Sequence, residues 1–145
     1  MTIRFGLIGC GRVAPRHAQS LTQLKQTDLV AVADIRPARA ARFAEEFHAT
    51  AYADAHELLA RADVDAVSIC VPSGLHAQLA IDALEAGKHV LVEKPVALSL
   101  EDADRMIAAA ARTGRIHPID GRMVSWYGPR IAEAIQALAR LFATR

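Results

Sequence analysis

The residues Ile3-Arg4-Phe5-Gly6-Leu7-Ile8-Gly9-Cys10-Gly11-Arg12-Val13-Ala14 decide the fold. The run Ile3 to Ile8 is apolar and reads as a strand, and Gly9 to Ala14 has the form G-x-G-x-x-A. From Val13 the spacing changes: Ala14, Ala18, Leu21 and Leu24 fall at helical intervals, with Pro15 in the first turn, where a missing N–H costs little. A glycine turn between a strand and a helix leaves unpaired N–H groups at the helix N-terminus. The helix dipole there favours an anion such as a dinucleotide pyrophosphate. Glycine pairs are common in tight turns, so the reading depends on what the rest of the chain supplies.

An acid follows at the expected place. Leu29-Val30-Ala31-Val32-Ala33 is apolar without alternation, as in a parallel strand covered on both faces. It ends at Asp34, about 25 residues after Gly9, near the spacing of roughly 20 for a ribose-binding acid. Such a carboxylate accepts hydrogen bonds from both ribose hydroxyls and repels a 2′-phosphate. NAD is therefore favoured over NADP, although Arg36 leaves a small opening for phosphate. The alternative for Asp34 is a residue that merely starts the next turn.

Strands and helices then alternate. Pro37 opens a helix through Phe43 and Phe47, and His48 to Tyr52 is a short extended piece. Asp54-Ala55-His56-Glu57 reads as a capping box for a short helix, with His56 on its surface. Val64 to Val71 is the fourth extended run, with Asp65 in the turn leading into it and Ser68 satisfied by neighbours. The loop Pro72 to His76 leads to a helix that ends near Gly87, and Val90-Leu91-Val92 is the fifth strand. Ser99-Leu100-Glu101-Asp102 is a second capping box, and Gly114 closes its helix. This alternation predicts an α/β fold, a doubly wound parallel sheet of the Rossmann dinucleotide-binding type, over residues 1–120.

Bulk properties agree and exclude other classes. With 52% hydrophobic and 23% charged residues in 145, the chain reads as globular and long enough for a real core. A net charge of +1 supplies no field for nucleic acid or an anionic membrane, and aromatics at 5% do not interleave with basic runs. No apolar run approaches 18 residues and no signal peptide precedes Ile3, so a cytoplasmic protein is expected. Cys10 and Cys70 form neither a disulfide framework nor a zinc pattern and read as reduced packing residues.

Four segments carry a family resemblance: Gly6 to His17, Ala33-Asp34, Val71-Pro72-Ser73-Gly74-Leu75-His76, and Ala86-Gly87-Lys88-His89-Val90-Leu91-Val92-Glu93-Lys94-Pro95. Together they resemble the glucose–fructose oxidoreductase, inositol dehydrogenase and rhizopine-catabolism group (Gfo/Idh/MocA) over roughly residues 2–115. The last segment is the most specific. The resemblance implies NAD(P)-dependent oxidation of a sugar, cyclitol or sugar-nucleotide hydroxyl. It makes Lys94 the active-site lysine and Glu93 a cofactor-side contact. It also places Ser73, where asparagine is more usual, and His76 near the cofactor. Gly9, Cys10, Gly11, Arg12 and Val13 form the pyrophosphate cradle, and the Lys94–Pro95 bond is often cis in the family. A lysine at the carboxyl end of a parallel strand also lies where such sheets bind ligands.

The pattern departs after Gly114. Pro118 and Gly121 oppose a central sixth strand, and Trp126-Tyr127-Gly128-Pro129 only loosely matches the family's Arg-aromatic-x-Pro element. Residues 121–145 read as an amphipathic helical segment. Ile131, Ile135, Leu138 and Phe142 form a stripe over 129–142 that suits self-association. His117 lies in a loop setting that does not suit a catalytic histidine. Family members usually continue into a substrate domain of some two hundred residues. The expectation is thus a truncated, cofactor-binding half with little activity alone, with the reading frame altered after Gly114. The alternatives are a non-catalytic NAD-binding regulatory module and a subunit that borrows a partner's substrate domain.

Overall fold

The computed structural model describes residues 2–114 and the single residue Gln136. The readings for Arg115 to Gly121, His117, Trp126 and, Gln136 apart, the 129–142 helix, and with them the boundary at 120, lie outside the described residues. Five strands alternate with helices: β1 (Ile3–Ile8), α1 (Ala14–Gln23), β2 (Thr27–Ala33), α2 (Pro37–Phe47), β3 (Thr50–Tyr52), α3 (Ala55–Leu59), β4 (Ala66–Ile69), α4 (His76–Glu85), β5 (His89–Val92) and α5 (Leu100–Thr113). A 3-10 turn, Ser73–Leu75, joins β4 to α4.

All strand pairs are parallel, in the order β3-β2-β1-β4-β5. This is the expected doubly wound sheet. The chain runs outward from β1 through β2 to β3, then returns to β1's other edge with β4. The crevice at that reversal, beyond the carboxyl ends of β1 and β4, is where open α/β sheets bind ligands.

Each face has its own core, which is why the strands read as continuous apolar runs. Ile3, Phe5 and Leu7 alternate onto one face and pack with Ala14, Ala18 and Leu21 of α1 and Phe43 of α2. Ile8 joins the other face with Leu58, Val67, Ile69, Ala80, Ile81, Leu84 and Met106.

Local differences from the sequence reading have identifiable causes. β2 begins at Thr27, not Leu29, because the Thr27 hydroxyl donates to the Leu21 carbonyl at 2.6 Å and is buried at no cost in unpaired groups. The cap of α3 is not a reciprocal box: Asp54 accepts the His56 N–H at 2.9 Å, and no bond from Glu57 back to Asp54 forms among the described residues. Ser99 caps α5, accepting the Asp102 N–H at 3.1 Å, again with no return bond from Asp102 among the described residues. Gly114 follows in the left-handed region at φ 66°. None of the described helices is long and apolar enough to cross a membrane.

Candidate functional site

The glycine turn is built by contact with the backbone just past β4. Gly9 has φ +93°, and a Cβ there would lie 2.8 Å from the Cys70 carbonyl carbon and 2.9 Å from the Val71 nitrogen. Both the dihedral and the close approach require glycine. Gly11 is different. A Cβ on it meets nothing within 4 Å, and its φ is not in the left-handed region. Nothing among the described residues demands glycine there, whereas a ligand lying against the backbone would. The third position of the motif, Ala14, is fully buried against β1, as close helix–strand packing requires.

The turn's N–H groups are not all open. Gly9 donates to the Ala33 carbonyl and Cys10 donates to the Asp34 carboxylate, both at 2.8 Å. The unpaired N–H groups expected at the helix N-terminus therefore begin after Cys10. The N–H groups of Gly11, Arg12 and Val13 have no acceptor among the described residues. They point to an anion site at the start of α1, and a pyrophosphate fits it. The Cys10 side chain is buried and turned to the core, with its thiol pushed up to about 12 chiefly by burial and secondarily by Asp34. Burial likewise raises the Cys70 thiol to about 12. Both are free cysteines that pack.

Asp34 stands at the carboxyl end of β2. One carboxylate oxygen holds the Cys10 N–H and the other holds the Arg36 N–H, each at 2.8 Å. A carboxylate has about four acceptor positions, so two remain for a diol. The carboxylate is therefore oriented before any ligand arrives.

A cleft of about 850 Å³ brings these groups together. Gly9, Gly11, Arg12, Val13 and Asp34 line it, with Arg36 and Arg39 beside them and Val71, Pro72, Leu75 and Leu79 as an apolar wall. Its far rim carries His56, which is exposed yet held by Asp54 at 3.0 Å and Asp82 at 3.1 Å. The Asp54 bond, then that to Asp82, raises the His56 pKa. His56 is thus more than loose surface decoration.

Ser73, His76, Glu93 and Lys94 do not line that cleft. Ser73 opens the 3-10 turn after β4. Glu93 and the exposed Lys94 follow β5, so both lie at the same end of the sheet as the glycine turn and Asp34. The Lys94–Pro95 bond is cis. His76 is 1% exposed, with Nδ1 on the Pro95 carbonyl at 2.8 Å and Nε2 on the Val71 carbonyl at 2.9 Å. Its ring faces main chain and not the cleft. Two further residues join the site: His17 of α1 bridges Ser68 Oγ and Glu93 Oε1, each at 2.8 Å. The signal for them was a histidine on the apolar stripe of α1 and a serine inside an apolar strand.

Comparison with known proteins decides the family: residues 3–119 match the Gfo/Idh/MocA model, described as an oxidoreductase family with an NAD-binding Rossmann fold. The chain belongs to the Gfo/Idh/MocA family of oxidoreductases. It is similar to myo-inositol 2-dehydrogenase of Thermotoga maritima, 41% identical over 106 residues, which are 72% of this chain and 32% of that protein. Among solved structures it is similar to KijD10, a 3-ketoreductase from Actinomadura kijaniata in complex with NADP and TDP-benzene. That likeness has a TM-score of 0.79 at 35% identity, over 97% of this chain and 43% of that one. The WlbA dehydrogenase from Chromobacterium violaceum, in complex with NADH and UDP-GlcNAcA, gives a TM-score of 0.76 at 39% identity, over 79% and 33% of the two chains. The chain spans about a third of the length of the curated relatives it matches.

Proposed function

We propose that this chain is the cofactor-binding part of an oxidoreductase that uses NAD in preference to NADP and acts on a hydroxyl or keto carbon of a sugar, cyclitol or sugar nucleotide. The observation that carries the reading is the cradle beside Asp34: three N–H groups without acceptors among the described residues, open space over Gly11, and a pre-oriented carboxylate in one cleft. Gly11, Arg12 and Val13 would hold the pyrophosphate, Gly9 shaping the turn and Cys10 anchoring it to Asp34. The relatives support the substrate class, since they include an inositol dehydrogenase and enzymes crystallised with nucleotide-linked ligands. They do not divide NAD from NADP, as KijD10 holds NADP and WlbA holds NADH. Asp34 supports NAD, through repulsion of a 2′-phosphate.

The nicotinamide, when bound, supplies or accepts the hydride. The chain's own chemistry falls to Lys94. Its Nζ is proposed to hydrogen-bond the substrate oxygen, taking the hydroxyl proton during oxidation and returning it during reduction. Glu93 and Ser73 are proposed to support the cofactor side of the same end of the sheet.

The test is ligand binding by the 145-residue chain. NAD at one hundred times its Kd stabilises a folded protein by about 2.7 kcal/mol, which a melting curve resolves. The expected result is a higher Tm with NAD and a smaller rise with NADP at equal concentration. No rise with either would overturn the reading.

A further inference from the structure

The two ends of the site, the glycine turn and the lysine turn, are linked by buried imidazoles. We propose that His17 and His76 are positioning residues that clamp the Glu93-Lys94-Pro95 turn from two sides and so fix where Lys94 is presented. The proposal rests on the reading of Lys94 given above.

One arm starts in α1, the helix that opens at the glycine turn. His17 is 4% exposed, and its Nε2 meets Glu93 Oε1 at 2.8 Å. A carboxylate only accepts, so Nε2 carries the hydrogen, and the Ser68 hydroxyl is left to donate to Nδ1. Ser68 is fully buried in β4, which makes the inner anchor rigid. The other Glu93 oxygen accepts the Lys94 N–H at 3.1 Å. Orientation therefore passes from Ser68 through His17 and Glu93 to the Lys94 backbone.

The second arm comes from α4. His76 Nδ1 lies 2.8 Å from the Pro95 carbonyl and Nε2 2.9 Å from the Val71 carbonyl. Carbonyls only accept, so a ring with one hydrogen donates to one of them, and the clamp uses the Nδ1–H tautomer, which donates to Pro95. The residues on both sides of Lys94 are thus held by imidazoles removed from water, where hydrogen bonds are stronger than at the surface. Lys94 itself stands exposed between them.

The His17 arm is not a proton path. Its inner end is Ser68, whose next polar neighbour is the buried Cys70 thiol at 3.8 Å, pushed up to about 12 chiefly by burial. A proton has nowhere to go in that direction. What remains is orientation.

The experiment uses the 145-residue chain labelled with 15N, as wild type and as His17→Leu, His17→Gln, His76→Phe and Ser68→Ala. Lys94 amide exchange is measured together with Kd for NAD and for ADP-ribose, which lacks the nicotinamide. His17→Leu is expected to speed Lys94 amide exchange about tenfold and to weaken NAD about tenfold, the equivalent of one hydrogen bond to a charged group. ADP-ribose should stay within about twofold, because the cleft that holds it is untouched by the change. His17→Gln keeps an N–H donor toward Glu93 and should restore most of the loss. His76→Phe should show the same split between the two ligands. If His17→Leu fails to fold, Ser68→Ala carries the test with a smaller effect of the same sign. In the wild type the His17 Nε2–H should appear as a slowly exchanging proton. Its absence, or NAD binding and Lys94 exchange unchanged in both the His17 and His76 variants, would overturn the clamp alone. A wild type that binds neither NAD nor ADP-ribose would instead overturn the dinucleotide reading, and with it the purpose of the clamp.

Discussion

The Asp34 carboxylate accepts the backbone N–H of Cys10 at 2.8 Å, so the two parts of the dinucleotide motif, 24 residues apart, are bonded to each other. The acid thus has two tasks: it shapes the glycine turn and it offers its remaining acceptor positions to a ribose. Asp34→Asn leaves one carbonyl acceptor and removes the charge. NAD binding is expected to weaken about tenfold, the scale of one lost charge-assisted hydrogen bond, while the NADP-to-NAD affinity ratio rises. Titration of both dinucleotides against the variant checks this. An unchanged ratio would show that Asp34 does not set cofactor choice.

The two glycines of the turn should behave in opposite ways. Gly9→Ala places a Cβ 2.8 Å from Cys70 backbone atoms, just past β4, at φ +93°, where neither partner can give. A loss of more than about 2 kcal/mol is expected, from the left-handed conformation and the clash together. Gly11→Ala meets no atom within 4 Å, so its stability should stay within about 1 kcal/mol of wild type. Its NAD binding should nevertheless fall sharply, because the new methyl occupies the space over the cradle. Urea melts paired with NAD titrations separate the two effects, and normal NAD affinity in Gly11→Ala would count against the cradle.

Much of this was legible because it depends on short-range pattern. The glycine turn lies in one stretch, and continuous apolar runs report strands covered on both faces whatever their partners are. The His17–Glu93 contact was not legible in the same way, since 76 residues separate the pair. It could be posed only as a question: a histidine in line with Ala14, Ala18 and Leu21, and a serine inside β4, each need a buried partner. His76 shows the converse. Its place in a motif suggested the cofactor, yet its two ring nitrogens both face backbone carbonyls, one of which takes the ring N–H. The start of β2 was missed because Thr27 reads as a turn residue until the Leu21 carbonyl is there to receive its hydroxyl.

Acid stability should depend on Asp65. Arg4 donates to it from its backbone N–H and, through Nε and a terminal amino group, in a bidentate fork, tying the turn before β4 to β1. The Arg4 side-chain bonds lead in holding the Asp65 pKa below the usual carboxylate range. A depressed folded pKa contributes stability above the unfolded value near 3.9, and that stability is lost as pH falls through the folded one. Asp65→Asn should flatten the stability curve between about pH 4 and the folded pKa, with little change in the shape of the curve above about pH 5. Chemical denaturation at a series of acid pH values reads this directly. A variant whose acid limb matches the wild type would assign that limb to other carboxylates.

Two lysines of one segment should separate fold from chemistry. Lys88 is 7% exposed and its Nζ donates to the carbonyls of Arg61 at 2.6 Å and Val64 at 2.9 Å, closing the chain between α3 and β4. Lys88→Met keeps the aliphatic volume but leaves those carbonyls without their charged donor. The expected cost is about 2–3 kcal/mol, from buried acceptors that lose a charged partner. Lys94 is exposed at the end of β5, so Lys94→Met should change stability by no more than about 0.5 kcal/mol. The Kd for ADP-ribose should be unaffected in Lys94→Met, because Lys94 does not line the cleft. The Kd for NAD should rise, because its nicotinamide reaches toward the lysine turn under the proposed function. Lys88→Met should show the reverse: a lower Tm and, at temperatures where it stays folded, the wild-type preference of NAD over ADP-ribose. If the two substitutions gave the same profile, Lys94 would be one more surface lysine.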